Sequence, residues 1–378
     1  MIFCLKSRNI VLPDGIFDGC VYVENGKIVA IGDDSLPREK TVDLGALYLA
    51  PGLIDLHVHG AKGYDFGSCT SEEAATAIHY HLAHGTTTIL PTLAAAPLPQ
   101  MAKALERLQQ CSCKANLPGV HLEGPYFSKQ QCGAQNTDHI TPPKAEEYLP
   151  LLERFGDFIA RWSYAPELDR DGAFCTALKE AGVLPAAGHT DATAADMAAA
   201  FEKGCRLITH LYSCTSTITR VGGFRQAGVI EYAYLNDEIY AEIIADGCHL
   251  PHELLTLVYK CKGREKTALI TDALSAAGVE AATGTLNGVP YIVEDGVCKL
   301  TDRSAFAGSI ATGDRLLRTC QEAGIPLVDA VYMAAAVPGE LLGLNKGRIC
   351  VGADADLIVF DDTIDIKSVY VNGNEVNL

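Results

Sequence analysis

From residue 53 to residue 272 the chain alternates short apolar runs with helical segments, and this rhythm restricts its fold more than any other feature. The strand-like runs are LIDLHVH, TTTILPT, GVHLEG, FIARWSYAP, LPAAGH, RLITHLY, YAEIIADGCH and TALITDA. Helical segments lie between them. In SEEAATAIHYHLAHG, Thr70 and Glu73 have the spacing of a capping box and Gly85 supplies a stop. Further helices are expected from about Leu98, over KAEEYLPLLERFG, GAFCTALKEAG and ATAADMAAAFEKG, around GVIEYAYLND, and over HELLTLVYK. Strands separated by helices pair in parallel, and eight units favour a closed barrel over an open sheet. The fold class expected is therefore α/β, with a (β/α)8 TIM-type barrel.

Both ends read differently. GCVYVENGKIVAIG places Asn25-Gly26 between two alternating segments, a hairpin signal, and ADLIVFDD and VYVNGNEV near the other end are also β-rich. A small β-sandwich domain built from both termini is expected, over residues 1–50 and 346–378, with the barrel over 51–345. A hairpin-like insert, GVPYIVEDGVCKL, follows Asp272.

At 378 residues and 48% hydrophobic, the chain can bury a large core. Its net charge of −17, with no run of Lys or Arg, argues against nucleic acid or anionic membrane as a partner. No apolar run is long enough for a signal peptide or a membrane span. The 14 cysteines include no CxxC pair and read as reduced thiols of a cytoplasmic protein.

In a β/α barrel the active site forms at the C-terminal ends of the strands. The first strand ends in His57 and His59, the third in Glu123, the fifth in His189, the sixth in His210, the seventh in His249 and the eighth in Asp272. Side chains alternate faces along a strand, so His57 and His59 point the same way while Val58 faces the helix layer. Imidazoles and carboxylates converging on one mouth suit zinc, iron(II), manganese or cobalt. They suffice for one or two divalent ions if a carboxylate bridges. His121 shares a face with Glu123 but lies one layer deeper. His79, His81 and His84 are expected on the surface or end of the first helix, His252 exposed, and His139 in a loop.

The segments PGLIDLHVHG, HLEGPY, AAGHT, THLY, IADGCH and ITDA occur in the order and spacing of the N-acetylglucosamine-6-phosphate deacetylases, of the metal-dependent amidohydrolase superfamily. The chain resembles that family over nearly its whole length. The resemblance implies that Glu123, His189 and His210 hold the metal common to the family. It implies that His57 and His59 hold a second metal and that Glu123 bridges. Asp272 matches the catalytic acid/base and His249 a substrate contact. The implied reaction hydrolyses an N-acetylhexosamine 6-phosphate, the glucosamine form first, within amino sugar metabolism. A metal ion activates water and polarises the amide carbonyl, and Asp272 moves the proton. A homodimer is implied as well, because a phosphate-binding arginine can come from the partner subunit.

The chain departs from the family pattern around the substrate. Gln135 stands where the family has a carbonyl-polarising histidine. Ser213 and Cys214 replace Asn-Ala after THLY, and Val221 aligns with the expected arginine. Arg220 and Arg225 lie nearby as candidate phosphate ligands. These departures leave open a second expectation, an amidohydrolase acting on a different N-acyl or cyclic amide.

Overall fold

The computed structural model describes residues 2–280 and 282–378. Eight parallel strands form one sheet in sequential order: Leu53–Val58, Thr86–Leu93, Val120–Glu123, Ile159–Tyr164, Leu184–Ala187, Leu207–Ile208, Tyr240–Ile244 and Thr267–Ile270. The last strand returns to the first. Val58 bridges Ala273 in parallel, Asp272 N donates to His57 O at 2.9 Å, and Thr271 Oγ1 donates to Asp55 Oδ2 at 2.5 Å. The barrel expected from the alternating runs is thus formed.

Strand burial explains why these runs are apolar. Val58 packs into the main core, with Ile89 and Leu122 from neighbouring strands, while Ile54, Leu56, Leu90 and Ile270 form a second cluster with Val337. Asp55, His57, Arg161, Ser163 and Glu242 are also buried, so polar side chains are enclosed among the same apolar strands.

Local signals hold at the helices. Helix Ser71–Ala83 has the capping box of Thr70 and Glu73, and Ala194–Lys203 has another, of Thr193 and Asp196. Such a cap contributes about 1 kcal/mol. One expectation fails on the first helix. His81 is buried, not superficial; its Nε2 donates to Gly60 O at 3.0 Å, which ties the helix to the segment after the first strand. His84 is half-buried 3.3 Å from Asp314, and His139 binds Ala95 O at 3.0 Å.

The ends of the chain pair with each other. Five strands from Ile2–Leu12 to Tyr48–Pro51 join Leu357–Phe360, Ile366–Val371 and Asn374–Val376. All eight are connected by hydrogen bonding into the small β domain expected from both ends of the chain. Asn25 and Gly26 turn the hairpin between Gly15–Glu24 and Lys27–Gly32 with φ of 50° and 76°, the two positive values that a type I′ turn requires. The insert after Asp272 is a four-stranded antiparallel sheet from Thr283–Leu286 to Phe306–Gly308. Among the described residues no helix is long and apolar enough to cross a membrane.

Candidate active site

The strand ends deliver their polar residues to one point. Glu123 is the last residue of the third strand, and His59 follows the first. His189, His210 and Asp272 each stand just beyond their strands in left-handed backbone, with φ of 46°, 32° and 49°. Such backbone costs about 1–3 kcal/mol per residue and persists where function needs it.

Three imidazoles close on one oxygen. Glu123 Oε1 lies 3.0 Å from His210 Nε2, 3.1 Å from His189 Nε2 and 3.4 Å from His57 Nε2. Glu123 Oε2 is 3.2 Å from His59 Nε2. Asp272 Oδ1 sits 3.4 Å from His57 Nε2 and 3.3 Å from His59 Nε2, and those two nitrogens are 3.2 Å apart. All six residues are buried.

Hydrogen bonds on the far side of two rings decide what the near side offers. His189 Nδ1 is 2.9 Å from Gln131 O and His210 Nδ1 is 3.0 Å from Ser213 O. A carbonyl only accepts, so each Nδ1 carries a proton and each ring presents Nε2 to the carboxylate as the atom free to ligate a cation. A ring nitrogen faces a carboxylate oxygen at this range either through its own proton or through a cation lying between them. Two overlapping trios, His57–Glu123–His210 and His57–His59–Asp272, each bring their ligand atoms close enough to hold one ion. The residues therefore fit one or two divalent cations.

Burial alone would raise Glu123, but His57, His189 and His210 hold it well below the usual carboxylate range. Burial would likewise raise Asp272, and His57 and His59 hold it down. His121 is kept neutral by burial and by Arg161. Its ring bridges Thr92 Oγ1 at 3.1 Å and Ser163 Oγ at 2.8 Å and meets the His57 ring edge-on at 4.6 Å. It backs His57 and does not join the cluster.

A cavity of about 170 Å³ opens on this cluster, with His249, Gln135, Ser213 and Cys214 in its wall and Leu286 and Phe306 reaching in from the insert. His249 is oriented by Asp246, whose Oδ2 is 2.8 Å from its Nδ1. Gln135 is occupied at both ends of its amide: Nε2 donates to Glu123 Oε2 at 2.6 Å and Oε1 accepts from Ala95 N at 2.8 Å. Cys214 packs its Sγ against Gly133, where an added Cβ would approach it to 2.5 Å, so a side chain at Gly133, already at a φ of 55°, would displace the thiol. Arg220 and Arg225 lie elsewhere. They face each other across an exposed hairpin, Thr219–Val221 with Phe224–Gln226, and neither lines the cavity. Among the described residues the cavity wall holds no lysine or arginine.

Two features escaped the sequence. One is the double hydrogen bond of Gln135. The other is the buried pair of Arg161 and Glu242, for which a charged residue inside each of two apolar strand runs was the available signal.

The amidohydrolase family model matches residues 48–376. An N-acetylglucosamine-6-phosphate deacetylase of Lysinibacillus sphaericus is 32% identical over 357 residues, covering 90% of this chain and 89% of the relative. The chain belongs to the amidohydrolase family, among its N-acetylglucosamine-6-phosphate deacetylases. The deacetylase of Pasteurella multocida superposes with a TM-score of 0.92 at 28% identity over 100% of both chains. A mutant deacetylase of Mycobacterium smegmatis, solved in complex with N-acetyl-D-glucosamine-6-phosphate, gives 0.91 at 28% identity over 99% of both chains. As an amidohydrolase the protein is a hydrolase of an amide C–N bond, and the family's divalent-metal chemistry matches the ligand cluster. Deacetylase relatives covering so much of the chain leave a different amide substrate unfavoured.

Proposed function

We propose that this amidohydrolase removes the acetyl group of an N-acetylhexosamine 6-phosphate, with N-acetylglucosamine 6-phosphate giving glucosamine 6-phosphate and acetate. The carrying observation is the convergence of His57, His189 and His210 on one oxygen of Glu123 with Asp272 beside them. Glu123, His189 and His210 would hold one divalent ion, and His57, His59 and Asp272 a second, with Glu123 shared. Zinc suits this donor set best, with iron, manganese and cobalt as substitutes. A divalent ion bound here supplies a Lewis acid for water and for the amide carbonyl.

The chain's own residues do the rest. Asp272, ionised beside the imidazoles, takes a proton from the attacking water and returns it to the leaving nitrogen. His249, fixed by Asp246, faces the sugar from the cavity wall. Ser213 orients His210 through its carbonyl, and Cys214 and Gln135 shape the floor.

A phosphate needs charge-assisted donors, which the cavity wall of one subunit lacks. Phe224 is 81% exposed and Val221 62% on the hairpin that carries Arg220 and Arg225. An apolar, arginine-bearing arm of this kind suits insertion against a second copy, so a homodimer that shares arginines is the assembly proposed. The fourteen free cysteines suit a reducing cytoplasm.

Acetate release from N-acetylglucosamine 6-phosphate, its galactosamine epimer and the unphosphorylated sugar tests the reading. Turnover restricted to the phosphorylated sugars supports it. Turnover of none of them by metal-loaded protein rejects it.

A further inference from the structure

We infer that the Arg161–Glu242 ion pair positions His57 as a metal ligand; the inference rests on the metal-dependent reading above. Arg161 comes from the fourth barrel strand and Glu242 from the seventh, and both side chains are 0% exposed. The guanidinium grips the carboxylate through both terminal nitrogens, with Nη2 to Oε2 at 3.1 Å. The same two nitrogens also reach Thr209 Oγ1 at 2.9 Å, Ser163 Oγ at 3.3 Å and Leu56 O at 3.3 Å, while Nε is buried without a partner.

Such a pair is a poor stability device. The cost of desolvating two charges roughly cancels their attraction, and apolar residues of similar volume serve a core as well. What the pair touches is more telling. Glu242 Oε2 lies 4.0 Å from His57 Nδ1, and that nitrogen is buried with no hydrogen-bond partner. His189 and His210 each have a backbone carbonyl on Nδ1; His57 has a carboxylate poised at the same place.

A ring that ligates through Nε2 carries its proton on Nδ1 and gains positive character. A modest rotation of His57 brings that N–H onto Glu242. Arg161 keeps the carboxylate anchored below the cluster, and His121 braces the ring from the side. Glu242 and Arg161 are positioning residues in this arrangement, since neither reaches the substrate cavity.

The test titrates metal-free wild type, Glu242→Gln and the double variant Arg161→Met/Glu242→Leu with Zn²⁺ in competition with a chelator. Wild type should bind most tightly. Both variants should lose roughly 10–100-fold in affinity for the ion that uses His57, with kcat reduced and KM unchanged, and Glu242→Asp should recover part of the loss. Wild-type affinity in a folded double variant overturns the inference. If neither variant folds, the nitrogen-proton spectrum of metal-loaded wild type decides: a proton on His57 Nδ1 supports it, and its absence overturns it. A wild type that binds no divalent ion overturns the metal-dependent reading itself, and this inference falls with it.

Discussion

Gln135 Nε2 lies 2.6 Å from Glu123 Oε2, the same oxygen that faces His59. The amide therefore shares the carboxylate with the ligand cluster, and its other end holds Ala95 N. Replacing Gln135 with Leu leaves that buried N–H without an acceptor. Urea unfolding of the metal-free variant should show a loss of about 1–3 kcal/mol. Unchanged stability would mean that the amide does not hold Ala95 N as the structure shows.

Asp272→Asn preserves the shape of the side chain and removes its charge. The variant should retain at least the ion held by Glu123, His189 and His210 by elemental analysis and lose about 10²–10⁴-fold in turnover, the usual contribution of a positioned acid–base group. Normal turnover would remove Asp272 from its role.

Removing metal leaves the imidazoles of His189 and His210 crowded against Glu123 with no cation to ligate. Calorimetry should find the metal-free protein melting below the loaded one. At a free ion concentration about a thousandfold above its dissociation constant, binding contributes about 4 kcal/mol. Identical melting of the two forms would count against an ion at the cluster.

Arg220→Ala and Arg225→Ala test the shared hairpin. A lost charge-assisted bond to phosphate should raise KM for the phosphorylated sugar about tenfold or more for at least one of them. Poor use of the unphosphorylated sugar should not change. Equal effects on both sugars would show that the hairpin does not read phosphate.

Asp314 offers a check on stability remote from the chemistry. Burial raises its pKa, but hydrogen bonds from His84 and Thr312, with Arg318 nearby, hold it down to about 2. The unfolded value is near 3.9, so the folded state favours the charged form. That stabilisation, about 2 kcal/mol, is complete above pH 5 and disappears as pH falls from about 4 to 2. The stability gap between wild type and Asp314→Asn should close over that interval. A gap constant with pH would rule out the charge as its source.

Particular residues show what a linear sequence carries. The HxH pair was legible because side-chain alternation in a strand is a local rule, and it put His57 and His59 on one face. The capping box of Thr70 and Glu73 and the Asn25-Gly26 turn were legible for the same reason. His81 was misjudged because helical spacing describes neighbours on the helix, while its partner Gly60 lies across a layer. Arg161 and Glu242 are 81 residues apart and meet only once the barrel brings the fourth and seventh strands together. The departures at Gln135 and Val221 were visible as residue changes. Their consequences required knowing that one amide is spent on Glu123 and that one arginine stands on an exposed hairpin.

An ion held by the histidine–carboxylate cluster would make amide hydrolysis depend on bound metal. The most direct test of that dependence adds Zn²⁺ stepwise to metal-free protein and follows bound metal and acetate release from N-acetylglucosamine 6-phosphate together. Activity should be absent without metal, rise with bound metal and level off at one or two ions per chain. Full acetate release by the metal-free protein, or none by the loaded protein, would contradict the claim.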